Sequence, residues 1–106
     1  MFRGGQPNMQ QMMKQVQKMQ EAMAKVQAEL EQKSVMGDAG GGMVKATVSG
    51  KQKLLKIEIS PEVVVPAEKD MLEDLVLTAV NQALEKAEAL EQQEMKKVTG
   101  GAMPGM

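Results

Sequence analysis

Two long helices flanking a small three-stranded antiparallel sheet, in the order α-β-β-β-α, are what this sequence predicts. Three observations carry the prediction. An unbroken heptad seam runs through residues 9–30, where Met9, Met12, Val16, Met19, Met23, Val26 and Leu30 alternate in spacings of three and four. Two short stretches around a Ser49-Gly50-Lys51-Gln52 turn alternate apolar and polar residues, as half-buried strands do. From about residue 67 to about residue 98 the apolar residues recur on a helical period with neither Gly nor Pro to interrupt them.

Residues 1–8, with Gly4, Gly5 and Pro7, are expected to form a flexible N-terminal arm, and Asn8 can cap the first helix with Gln11 at its third position. That helix ends near Glu31 or Gln32. Lys14, Lys18 and Lys25 fall outside the seam on outer positions, where a solvated face and a binding face are both open readings. An extended piece around residues 34–36 leads into Gly37-Asp38-Ala39-Gly40-Gly41-Gly42, expected to be a hinge or turn. Gly37 and Gly42 have the separation of a phosphate-binding P-loop. Met43-Val44 stands where Lys-Ser/Thr is needed, and a strand pattern follows instead of a helix, which excludes it.

In the first hairpin strand Val44, Ala46 and Val48 share one face, and Lys45, Thr47 and Ser49 the other. The second strand is expected to send Leu55, Ile57 and Ile59 inward, with Lys56 and Glu58 outward. Lys51 and Lys53 make the hairpin tip basic, a feature that suits either a soluble turn or a contact surface. With residues 34–36 as a third strand the hairpin escapes the marginal stability of an isolated pair. Pro66 restricts Ser60-Pro61-Glu62 to a brief turn. Glu68, Asp70, Glu73 and Asp74 crowd the start of the second helix, where carboxylates complement the helix dipole better than they build a metal site; Lys96 and Lys97 suit its end before Gly100 and Gly101. Residues 9–98 are thus expected to form a single domain, and residues 99–106, rich in Gly, Pro and Met, a disordered tail.

The 106 residues include neither Cys nor His, so disulfides, thiol chemistry, Cys-ligated zinc and the commonest general base are excluded. Ser34, Ser49 and Ser60 have no His to activate them. The chain is therefore read as no enzyme, with no catalytic residue, no cofactor, no metal and no small-molecule substrate. The longest aliphatic run is Val63-Val64-Val65, which predicts no membrane partner and a cytoplasmic protein. The net charge of −1 conceals local excesses: +3 over residues 1–20, +3 over residues 43–60, and −4 over residues 68–97.

Strands of five or six residues span about 17 to 20 Å. Helices of about 22 and 30 residues span about 33 and 45 Å, so both overhang the sheet. Met12, Val16, Ala87 and Leu90 lie in those overhangs, and a homodimer is the simplest way to cover them.

Three stretches resemble the YbaB/EbfC family of bacterial nucleoid-associated proteins. They are Met9-Gln10-Gln11-Met12-Met13-Lys14-Gln15 with Lys18-Met19-Gln20, then Gly40-Gly41-Gly42-Met43-Val44-Lys45-Ala46-Thr47-Val48-Ser49-Gly50, and Asp70-Met71-Leu72-Glu73-Asp74-Leu75-Val76 with Ala79-Val80-Asn81-Gln82-Ala83. The resemblance spans roughly residues 9–101. It implies an α+β protomer, a tweezer-like homodimer, localisation to the nucleoid, and binding to double-stranded DNA with a role in nucleoid organisation or gene regulation. On that expectation Lys14, Lys18 and Lys25, with Lys51 and Lys53 at the hairpin tip, are the candidate DNA contacts. Phe2 is the one aromatic residue, which leaves no stacking platform for single strands and favours phosphate contact over base readout. About four such contacts per dimer predict that log affinity falls with log salt at a slope of about −3.6. The alternative is a dimeric protein-interaction adaptor with incidental DNA binding.

Overall fold

The computed structural model describes residues 5–99, and side-chain surroundings for residues 9–98. Helix α1 spans Gly5–Gln32, strands β1, β2 and β3 span Ser34–Ala39, Val44–Ser49 and Leu54–Ile59, and helix α2 spans Lys69–Thr99. Single 3-10 turns at Pro61–Val63 and Pro66–Glu68 join β3 to α2, each opened by its proline. The strands form one antiparallel sheet in the order β1-β2-β3.

Helix α1 begins four residues before Met9, at Gly5. Pro7 is tolerated there because the first turn of a helix has no intrahelical partner for its N–H groups. Of the expected flexible ends, residues 1–4 and 100–106 lie outside the described residues. The expected hinge at residues 37–42 is shorter than its glycine content implied. Gly37, Asp38 and Ala39 complete β1, pairing with Ala46, Lys45 and Val44, and only residues 40–43 turn the chain. Gly40, Gly41 and Gly42 take φ values of 64°, 68° and 94°, a region that glycine enters without a Cβ penalty.

Helix α2 lies across β1 and β2. Its Ala79, Ala83 and Ala87, four residues apart, meet Val44, Ala46 and Val48 in a fully buried core. Small residues on the helix let the backbones come close, and Gly37 faces Ala79 and Ala83. A helix about 10 Å across covers two strands spaced about 4.8 Å apart and no more. That limit corrects the expectation for β3. Ile57 and Ile59 pair with Ala46 and Val44 and share their face, yet both remain 39 % exposed, and Leu55 is 54 % exposed, because nothing among the described residues covers the third strand.

The overhangs also divide. Ala87 is buried and Leu90 half-buried, because the hairpin tip and the end of α1 close on that part of α2, whereas Met12 and Val16 are exposed. Ser49, expected on the outer face, is buried; its Oγ accepts the N–H groups of Lys51 and Lys53, both at 3.2 Å.

Candidate nucleic-acid interface

Lys14, Lys18 and Lys25 share one stripe of α1. At 3.6 residues per turn they fall within about 40° of one another, on the side opposite the methionine seam. All three are exposed, and no amine among them has a hydrogen bond or ion pair among the described residues. Lys14 and Lys25 are separated by about 16 Å along the helix. Gln10, Gln17 and Gln32 border the stripe as further neutral donors, and Glu21 lies within it.

The structure sets the other two candidates apart. Lys51 is held by a hydrogen bond from its Nζ to Gln27 Oε1, and Gln27 lies roughly 160° around α1 from Lys25. Lys53 is exposed, and its amine has no partner among the described residues. The hairpin tip is docked, not projecting. Gly50 N–H donates to the carbonyls of Leu30 (3.0 Å) and Lys33 (2.9 Å), and Gln52 Nε2 donates to Glu91 on α2 (2.9 Å). The five lysines therefore form a helix stripe of three and a separate pair at the junction of α1, α2 and the hairpin.

Two further lysines enter where the helices meet. Lys33 Nζ lies 3.0 Å and Lys97 Nζ 3.3 Å from the same Glu94 oxygen, and Lys25 borders the open groove that these residues line. Glu94 itself is buried. Sequence patterns missed this cluster: Glu94 and Lys97 read as an ordinary i,i+3 helix pair, and Lys33 is 61 residues away. Elsewhere the basic excess of residues 43–60 is dispersed. Lys45 sits in register between Asp38 and Glu58, and Lys56 pairs with Glu58 at 3.6 Å. The stripe on α1 is thus the longest run of free cations among the described residues.

Hydrogen bonding from Lys33, opposed by burial and aided by Lys97, holds the Glu94 carboxyl below its ordinary value of 4.5. Below that value the unfolded chain binds the proton first. The stabilisation is complete above 4.5 and is lost as pH falls through the lower folded value. Glu94→Gln is expected to remove this acid-side component while leaving Lys33 and Lys97 unpaired. Urea midpoints of the two proteins, measured at neutral pH and again below 4.5, check it: the gap between them should narrow in acid.

Among the described residues no helix is long and apolar enough to cross a membrane, and no group of acidic side chains is arranged to hold a metal ion.

A sequence model of the YbaB/EbfC DNA-binding family matches residues 5–103. A nucleoid-associated protein of Alkaliphilus metalliredigens is 55 % identical over 104 residues, covering 97 % of this chain and 91 % of that protein. One from Thermoanaerobacter pseudethanolicus is 52 % identical over 110 residues, covering 100 % and 99 %. Among solved structures, an uncharacterized protein from Helicobacter pylori superposes with a TM-score of 0.70 at 16 % identity, over 77 % of this chain and 86 % of that one, a likeness of fold.

Proposed function

The chain belongs to the YbaB/EbfC DNA-binding family and is a nucleoid-associated DNA-binding protein, and we propose that it holds double-stranded DNA as a homodimer, mainly through phosphate contacts, to organise the nucleoid or regulate genes. The observation that carries the phosphate reading is the stripe of Lys14, Lys18 and Lys25, whose amines have no partner among the described residues and so are available to anions. Phosphates reward unpaired, exposed lysines at spaced intervals and require no base-edge geometry. Lys51 and Lys53 serve as flanking contacts, one of them already tied to Gln27. The family is one of DNA binders, and the reading invokes no catalytic step, no cofactor and no small-molecule substrate. A place at the nucleoid accords with the names of the relatives, and a cytoplasmic compartment goes with it.

Salt-titrated binding to a random duplex tests the phosphate reading. A slope of log affinity against log salt near −3.6 is expected for about four contacts, and a slope near zero overturns it.

Support for the homodimer comes from β3. As an edge strand it presents unpaired backbone groups beside an apolar patch of Leu55, Ile57 and Ile59, continued by Val64 at 55 % and Val65 at 38 % exposure. Edges of this kind call for a covering partner. Ile57→Glu is expected to shift the protein from dimer to monomer in light scattering with its helicity intact; an unchanged mass would place the dimer contact elsewhere.

A further inference from the structure

Taking the phosphate reading of the α1 stripe as given, we infer that the hairpin tip and Glu94 clamp the base of α1 and set the angle at which it carries its lysines, so that Gly50 and Glu94 are positioning residues for DNA binding. Helix α1 is a lever. Every side chain from Met9 to Glu21 is exposed, Ala22 and Met23 are half-buried, and among the described residues of α1 only Val26 and Leu30 are buried. Lys14 and Lys18 thus stand on a length of helix that the rest of the described chain does not support. Lys14 lies about 24 Å along the helix from Leu30. A swing of about 10° at the base moves it by about 4 Å, more than the axial rise of about 3.4 Å between successive phosphates of one strand. The base must therefore be held firmly for the lysines to meet phosphates in register.

Two elements hold it. From the hairpin, Gly50 N–H donates to the carbonyls of Leu30 and Lys33, and Lys51 Nζ donates to Gln27 Oε1 one turn earlier. From α2, the buried Glu94 holds Lys33 Nζ at 3.0 Å. Gly50 permits the close approach. A Cβ there would stand 2.7 Å from the Leu30 carbonyl oxygen and 3.1 Å from its Cα, both backbone atoms, so the end of α1 would have to move. The positive-φ glycines are Gly40, Gly41 and Gly42, so at Gly50 the missing Cβ serves the contact and not the backbone conformation. A carboxylate repels DNA, and Glu94 contributes to binding through Lys33, which it fixes against α2. An arm aligned in advance binds without the cost of being ordered on the DNA.

Binding of a random duplex by Gly50→Ala, Glu94→Gln and, as a control, Gly41→Ala is measured by fluorescence anisotropy over a salt series, at a temperature where circular dichroism shows each to be folded. Gly50→Ala changes no charge and Glu94→Gln removes a negative one, so charge alone predicts unchanged binding for the first and tighter binding for the second. A loosened arm instead predicts about tenfold weaker binding in both, with the salt slope of the natural protein kept because no lysine is lost. Gly41→Ala, whose added Cβ meets nothing within 4 Å, should bind as the natural protein does. The chain has no Cys, so spin labels on Gln17→Cys and Thr78→Cys, diluted with unlabelled protein, read the arm without DNA; adding Gly50→Ala should broaden or shift their distance distribution. Natural affinity in Gly50→Ala, tighter binding by Glu94→Gln, a flatter slope in either, an equal loss in Gly41→Ala, or an unchanged label distribution overturns the inference. A slope near zero in the natural protein instead fails the phosphate reading, and the label distribution then still decides whether the clamp sets the arm.

Discussion

Reversing the charge of Lys14, Lys18 and Lys25 together to Glu is expected to weaken binding to double-stranded DNA by about a hundredfold or more at low salt and to flatten its salt dependence. The magnitude follows from counterion release. With about four phosphate contacts per dimer, a fourfold rise in salt lowers the affinity of the natural protein by about 150-fold, and a variant without those contacts has little left to lose. Folding should be spared. All three side chains are exposed, none pairs with another of the described residues, and they lie away from the seam. Lys51→Glu with Lys53→Glu should have the smaller effect, since that pair sits apart at a docked tip. Filter binding or fluorescence anisotropy over a salt series, with dimer mass checked in parallel, measures both. A triple variant that binds DNA as the natural protein does would move the interface off α1. One that loses DNA affinity yet keeps its cellular role would instead favour the adaptor.

Gly37→Ala is expected to destabilise the protomer by about 3 kcal/mol, lowering Tm by roughly 12 to 24 °C in a domain of this size. A Cβ at Gly37 would stand 2.3 Å from the Ala79 carbonyl oxygen and 2.5 Å from the Ala83 nitrogen. Both are backbone atoms of α2, so no side-chain rotation relieves the overlap. The helix must lift, opening the core formed by Val44, Ala46 and Val48 with Ala79, Ala83 and Ala87. Gly41→Ala provides the contrast. Nothing lies within 4 Å of its added Cβ, and its φ of +68° alone accounts for a loss of about 1 to 2 kcal/mol. Thermal unfolding followed by circular dichroism distinguishes the two. If Gly37→Ala melts with the natural protein, α2 is not seated as closely as the geometry requires.

The methionine seam, the alternation of Val44, Ala46 and Val48, and the proline-limited turns were legible because each depends on periodicity within one segment. The lysine stripe was legible for the same reason: three residues on one helix keep their relative angles wherever that helix packs. Gly37 was misread because a glycine cluster signals a turn locally, and only the approach of α2, more than forty residues downstream, makes the missing Cβ a requirement. Lys33 and Lys97 could not be joined to Glu94 on sequence terms, as their meeting depends on where two helices cross.

By itself, then, the sequence determined the elements and the side of each that is apolar or basic, since the period of a helix or strand is set by backbone geometry. Tertiary structure decided which apolar sides are covered within the protomer. One helix spans only two strands, so α2 closes β1 and β2 and leaves β3 open, and the short sheet and hairpin tip reach only the last turns of α1. Coverage is a matter of widths and lengths between segments, and no pattern along a single segment contains it.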